Sequence, residues 1–158
     1  MNNIVVDIAE IIKRGEITYS EGFDKICLIV DRDRKSFFSE PNNNQYEYVL
    51  NKCLENNFGF YVTNPCFEFW LLLHFDKVHE INKNELKENR KVNSKRTFAE
   101  QELRKVFPGY KKTSYNASEL VKNIDKAIKN EQAFCEDEIQ LEREIGSNVG
   151  LLITELKK

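Results

Sequence analysis

The sequence predicts a three-layer α/β domain with a small parallel sheet and a mainly helical C-terminal third. Three observations carry that expectation. Ile26-Cys27-Leu28-Ile29-Val30 is a run of five apolar residues; being continuous rather than alternating, it reads as a strand buried on both faces, the usual state of a central parallel strand. Tyr46, Val49, Leu50, Cys53 and Leu54 then make one helical stripe, and Gly59-Phe60-Tyr61-Val62 reads as the next strand. Strand, helix and strand in this short space form a βαβ unit, which is right-handed and parallel in nearly every case. Finally, apolar positions from Leu120 to Phe134 and from Val149 to Leu156 recur at helical spacing.

In chain order, Ile4, Val5, Ile8, Ile11 and Ile12 predict an amphipathic helix over 3–14, ended by Gly15. Residues 15–23 are a polar connection to the strand at 25–30. A loop with Ser36, Phe37, Phe38 and Pro41 leads to the helix at 44–56, and the second strand occupies 59–62. Thr63 or Asn64 then suits a helix cap, with Pro65 at the first helical position, where a missing N–H costs nothing. That helix, over 65–75, is apolar almost all round. Residues 76–96 are a polar Lys/Asn/Glu-rich insertion with at most a short helix near 84–89. Thr97 caps a helix stopped by Pro108-Gly109, a long helix starts at Ser118, and Ser147 caps the last one. The whole chain, 1–158, reads as one domain: a core over 1–75, the insertion over 76–96 and a helical part over 97–158.

Composition excludes several classes. With 41% hydrophobic and 32% charged residues, the chain is neither disordered nor fibrous. A formal charge of −2 gives no global basic signature, so any nucleic-acid binding needs a local patch. No apolar run approaches the roughly 20 residues of a membrane span, and Met1-Asn2-Asn3 does not open a signal peptide. Cys27, Cys53, Cys66 and Cys135 are widely spaced and read as reduced thiols, an expectation of a cytoplasmic protein without membrane association.

The chemistry gathers at the carboxyl ends of the two strands, where open α/β sheets place their ligands. Asp31 and Asp33 leave the first strand one residue apart. Such a pair can share a divalent cation, since Mg²⁺ is held by one or two carboxylates plus water and substrate phosphates. Arg32 and Arg34 add positive charge for an anionic substrate. Glu68 emerges at the same sheet edge, in the first turn of an apolar helix; a charge there is costly unless paired or metal-bound, and capping its own helix start is the competing role. His74 reads as a hydrogen-bonded core histidine. Lys111 and Lys112, with Lys91, Lys95, Arg96, Arg104 and Lys105, supply the remaining phosphate-binding surface, a solvated polar face being the alternative.

Three segments together resemble the RloB/AbiLii family of phage-defence proteins, whose core is similar to the Toprim fold. They are Leu28-Ile29-Val30-Asp31-Arg32-Asp33, the block from Asn64-Pro65-Cys66-Phe67-Glu68 to Leu73-His74-Phe75, and Tyr110-Lys111-Lys112 with the helices after it. The resemblance spans most of 25–158. It implies a Toprim-type nuclease using Mg²⁺, with Mn²⁺ as the alternative, partnered with an ABC/AAA-type ATPase in an abortive-infection system. Asp31 and Asp33 match the family's Asp-x-Asp, and Glu68 the glutamate of its Asn-Pro-x-Phe-Glu block. Toprim proteins also carry a Glu-Gly on an earlier strand. Glu21-Gly22 has those letters but lies just before the Asp-x-Asp strand, without room for a βα unit between, so the chain looks N-terminally short: a truncated product, or a variant without that portion.

Two function classes follow. In the first, Asp31, Asp33 and Glu68 are catalytic and hold the metal, while Arg32, Arg34, Lys111 and Lys112 position a nucleic-acid substrate, whether DNA, messenger RNA or tRNA. In the second, the chain is a catalytically silent module that docks on a partner ATPase. The oligomeric state is not legible in the sequence.

Overall fold

The computed structural model describes residues 4–33, 39–40 and 43–158. Helix α1 (Ile4–Lys13) leads through turns to β1 (Cys27–Asp31). A two-stranded antiparallel hairpin, β2 (Ser39–Glu40) and β3 (Asn43–Asn44), then precedes α2 (Gln45–Glu55) and β4 (Gly59–Asn64). β1 and β4 are parallel, with Cys27 opposite Gly59 and Asp31 opposite Thr63. The other side of β4 pairs with β5 (Gly146–Ser147), which runs antiparallel.

The sheet is therefore mixed, in the order β1-β4-β5, and two expectations need correcting. It is not wholly parallel, because the chain returns from its helical part as β5. Nor is β1 central: among the described residues it is an edge strand, and Ile29 is 51% exposed. An apolar run shows that both faces of a strand are apolar, not that both of its edges are paired. The central position belongs to β4, whose residues Phe60 to Asn64 are all buried.

Alternation along the strands gives each sheet face its own core. Val30, Phe60 and Val62 pack with Tyr46, Val49, Leu50 and Cys53 of α2, with Ile8, Ala9 and Ile12 of α1 against them. On the other face Tyr61 joins a larger cluster built from α3 (Phe67–Leu72), α5 (Phe98–Val106), α7 (Ile124–Glu131) and α8 (Val149–Leu156). Helix, sheet and helix make the three expected layers.

Between α3 and α5 the polar insertion holds, in addition to a 3₁₀ turn at Asp76–Glu80, the short helix expected near 84–89, α4 (Lys83–Glu88). Leu86, fully buried, anchors it. Caps settle the boundaries: Asn44 Oδ1 accepts the Glu47 N–H at 3.1 Å, and Thr97 Oγ1 that of Glu100 at 3.4 Å. The helix expected from Pro65 starts instead at Phe67, because β4 runs on to Asn64 and Cys66 occupies the extended cap position. The long helix expected from Ser118 is two helices, α6 (Ala117–Val121), capped by Asn116, and α7, separated at Lys122-Asn123. Asn148 holds the cap position of α8, although Ser147 Oγ still accepts the Val149 N–H at 3.2 Å.

One buried acid joins α7 to α8. Glu131 is fully buried, and its Oε1 accepts the Gly150 N–H at 3.1 Å, meeting an otherwise orphaned donor at the start of α8. A side chain at position 150 has no room, since a Cβ there would lie 2.0 Å from Glu131 Oε2. Burial pushes the Glu131 carboxyl up to about 7, against the opposing bonds from Ser147 and the backbone of Gly150 and Val149. Because the folded state holds that proton more tightly than the unfolded chain, this group favours folding at low pH. Its contribution is lost as pH rises from the ordinary carboxylate range through about 7. Urea unfolding of the wild type and Glu131→Gln at pH 5 and pH 8 checks this. The stability difference between them should move by about 3 kcal/mol in favour of Glu131→Gln at the higher pH.

Candidate functional site

The carboxyl ends of β1 and β4 open into a crevice of about 420 Å³. Their register creates its floor. Asp31, the last residue of β1, lies opposite Thr63, whose hydroxyl donates to Asp31 Oδ1 at 2.9 Å. One residue further, the Arg32 N–H donates to the Thr63 carbonyl at 2.7 Å and extends the ladder past the strand end. The chain then turns through Pro65 and Cys66 into α3, and the Phe67 N–H reaches the Asp31 carboxylate. The first turn of α3 thus faces an acid from the neighbouring strand and favours its charged form, as helix N-termini do.

Glu68 follows in the same turn, 5% exposed. Tyr110 Oη donates to its Oε1 at 3.1 Å, and Lys112 Nζ lies 3.4 Å from the same oxygen. Burial alone would raise the Glu68 pKa. Its own backbone N–H, the Lys112 ammonium, the Cys66 thiol and the Tyr110 hydroxyl outweigh burial and hold it below the ordinary range. Asp31 moves the other way, raised by burial and by the charge of Glu68 despite Thr63, Lys112 and Phe67. The two acids are electrostatically coupled, and Glu68 keeps its charge more readily. Both readings of Glu68 meet here: it sits in the first turn of its own helix, whose amide favours its charge, and it faces a crevice shared with a second carboxylate. Cys66, almost enclosed, has its thiol pKa raised well above the usual value, burial being the main cause.

Asp31, Asp33, Glu68 and Lys112 all line the crevice. Arg32 borders it, but its side chain is buried; Nε donates to the Glu142 carbonyl at 3.0 Å and the guanidinium stacks on Tyr46 at 5.7 Å. The side chain expected to bind substrate is thus turned into the fold, tying β1 to the 3₁₀ turn at Gln140–Glu142. Lys111 is not among the lining residues; its backbone exchanges hydrogen bonds with Ser114. Arg34 lies outside the described residues. His74, buried, pairs Nδ1 with the Trp70 carbonyl at 3.1 Å, as a core histidine does. Sequence reasoning missed the two hydroxyls, Thr63 and Tyr110, and the lining residues Lys87 and Arg90. Only the position of Thr63 at a strand end and of Tyr110 beside a basic turn hinted at the former.

Among the described residues no three His, Cys, Asp or Glu side chains gather into a metal-holding group. Four carboxylates, Asp31, Asp33, Glu68 and Glu88, border the crevice, and Asp31 and Glu68 are the electrostatically coupled pair among them. That chemistry fits a hard cation completed by water and substrate phosphate rather than a cage supplied by the protein. Glu21-Gly22 sits in a turn, with Gly22 at φ +86°, and not on a strand.

A family model described as RloB-like protein matches residues 2–156, nearly the whole chain. Neither the curated proteins nor the solved structures give a match.

The two charged neighbours at the end of β1, Asp31 and Arg32, should respond oppositely to substitution. Arg32→Ala removes a buried cation and leaves the Glu142 carbonyl without that donor, and should cost about 2–3 kcal/mol in urea unfolding. Asp31→Asn removes a carboxylate that folding makes harder to ionise, so its melting temperature should exceed the wild type's at pH 7. The gain should vanish below the ordinary aspartate range, where the wild-type group is protonated in both states.

Proposed function

We propose that this chain, which belongs to the RloB-like protein family, is the Mg²⁺-dependent nuclease effector of an anti-phage abortive-infection system. It cleaves phosphodiester bonds of DNA or RNA in the crevice between Asp31 and Glu68. The observation that carries the reading is the convergence, at two parallel strand ends, of a coupled pair of acids held in opposite protonation tendencies. Acids whose environments push their pKa values apart are the usual sign of divided roles.

Thr63 and the Phe67 N–H aim Asp31 into the crevice. Tyr110, Lys112 and the start of α3 keep Glu68 ionised at low exposure. Lys112, with most of its side chain in solvent, is placed to meet a substrate phosphate while screening the two acids from each other. A bound Mg²⁺ would supply Lewis-acid polarisation of the phosphate and a more acidic water; Asp31 and Glu68 are the residues to hold it, with Asp33 at the rim. Arg32 leaves the substrate-binding set on geometric grounds. The family resemblance supplies the remaining parts: a partner ATPase of ABC/AAA type and a cytoplasmic setting.

The docking-module reading keeps one specific support, the lack of a three-acid group among the described residues. Cleavage assays with the partner ATPase decide between the two. Labelled DNA, messenger RNA and tRNA should be screened with Mg²⁺ or Mn²⁺, and at least one should be cut. Asp31→Asn and Glu68→Gln should each lower that cleavage by at least about 100-fold while remaining folded. Mg²⁺ should also raise the wild-type melting temperature but not that of Glu68→Gln. Undiminished cleavage by both variants would refute the site; no cleavage of any substrate, with no Mg²⁺ response, would leave the docking module.

A further inference from the structure

A second wall of the crevice comes from the insertion, and its construction is specific. Asn89 ends α4 in the left-handed conformation, φ +41°. Its side chain binds in two directions, accepting the Ala99 N–H at 2.9 Å and donating to Cys66 Sγ at 3.3 Å. The insertion is thereby tied to the residue that starts α3, two positions before Glu68. Beyond Asn89 the chain doubles back. The Phe98 N–H donates to the Arg90 carbonyl at 2.9 Å, Lys91 bridges Thr97 antiparallel, and the Val92 N–H donates to the Arg96 carbonyl at 3.0 Å. Asn93 closes the tip by accepting the Lys95 N–H at 2.9 Å.

This short hairpin concentrates charge. Residues 89–99 hold Arg90, Lys91, Lys95 and Arg96 and no carboxylate, in a chain whose formal charge is −2. Arg90, Lys91 and Thr97 line the same crevice as Asp31 and Glu68, while Lys95 and Arg96 are exposed at the tip. Arg90 and Lys87 have acidic neighbours, Glu88 at 3.5 Å and Glu144 at 3.0 Å. These exposed pairs are weak enough for a phosphate to displace.

We infer that the 90–97 hairpin is a guide for single-stranded nucleic acid, leading one strand across Asp31 and Glu68 and discriminating against duplex. The inference rests on the nuclease reading and adds its substrate form. The crevice volume, about 420 Å³, falls within the roughly 300–1,000 Å³ of small-ligand sites, room for a nucleotide and not for a paired helix. Glu68 is 5% exposed, so a reacting phosphate has to approach it through the crevice that the hairpin lines. A flexible strand can bend to do so; a duplex, stiff over about 150 base pairs, cannot follow that path with consecutive phosphates.

Fluorescence anisotropy with labelled DNA and RNA oligonucleotides, single-stranded and annealed, tests this in the presence of EDTA so that binding is read without cleavage. The single strand should bind at least tenfold tighter than its duplex. Arg90→Ala/Lys91→Ala should weaken single-strand binding about tenfold and flatten the dependence of log Kd on log salt by about 1.4, leaving the melting temperature and duplex binding unchanged. Arg90→Lys/Lys91→Arg should restore the affinity, and Lys122→Ala, off the crevice, should not alter it. Equal affinity for duplex, an unaffected double variant, or no single-strand binding would each overturn the guide, even if Asp31-dependent cleavage is observed. Selective binding through Arg90 and Lys91 without cleavage by any metal-supplemented complex would instead uphold the guide and sink the nuclease reading.

Discussion

The register of β1 on β4 governs the rest of the site. With Asp31 opposite Thr63, the aspartate leaves its strand where a hydroxyl and the incoming turn of α3 can both reach it. A one-residue slip would turn Asp31 to the other face of the sheet and present Val30 or Arg32 in its place. The alternation that puts Val30 in the α2 core therefore also aims the acid. The buried side chain of Arg32 adds a second lock, since it cannot keep its bond to the Glu142 carbonyl in another register.

On this frame the protein holds two acids in unlike environments. Asp31 is served by one hydroxyl and one backbone N–H, and its pKa rises. Glu68 receives a phenol, an ammonium, a thiol and its own amide, and its pKa falls although it is the less exposed of the two. Tyr110 and Lys112 come from a turn some 40 residues downstream. The helical part of the chain thus contributes to the electrostatics of a site that the strands display. Asn89 extends the same linkage to the insertion by touching the Cys66 thiol, so three distant segments converge on the first turn of α3.

Much of the layout was legible from pattern. The strand–helix–strand unit, the cap at Thr97, and the shared edge of Asp31 and Glu68 follow from apolar spacing and from helix-start chemistry. What was not legible depends on contacts between distant segments. Nothing in Ile26–Val30 says which strand edge stays unpaired, and nothing beside Arg32 announces that Tyr46 and the Glu142 carbonyl will take its side chain. Tyr110 looked like part of a basic turn because its partner lies 42 residues away. The hairpin at 90–97 was hidden by its polar composition, since its pairing is almost wholly backbone. The break between α6 and α7 has the same character: apolar spacing continues through Lys122-Asn123 although the helix does not.

The central claim, that Asp31 and Glu68 form one coupled site, is open to direct measurement. Carbon-detected NMR titration of the side-chain carboxyls reads Asp31 in the wild type and in Glu68→Gln. Asp31 should titrate above the ordinary aspartate value, and its midpoint should fall when the Glu68 charge is removed. An Asp31 midpoint at the ordinary value that ignores Glu68→Gln would contradict a shared crevice, and the two acids would then be unrelated features of one sheet edge.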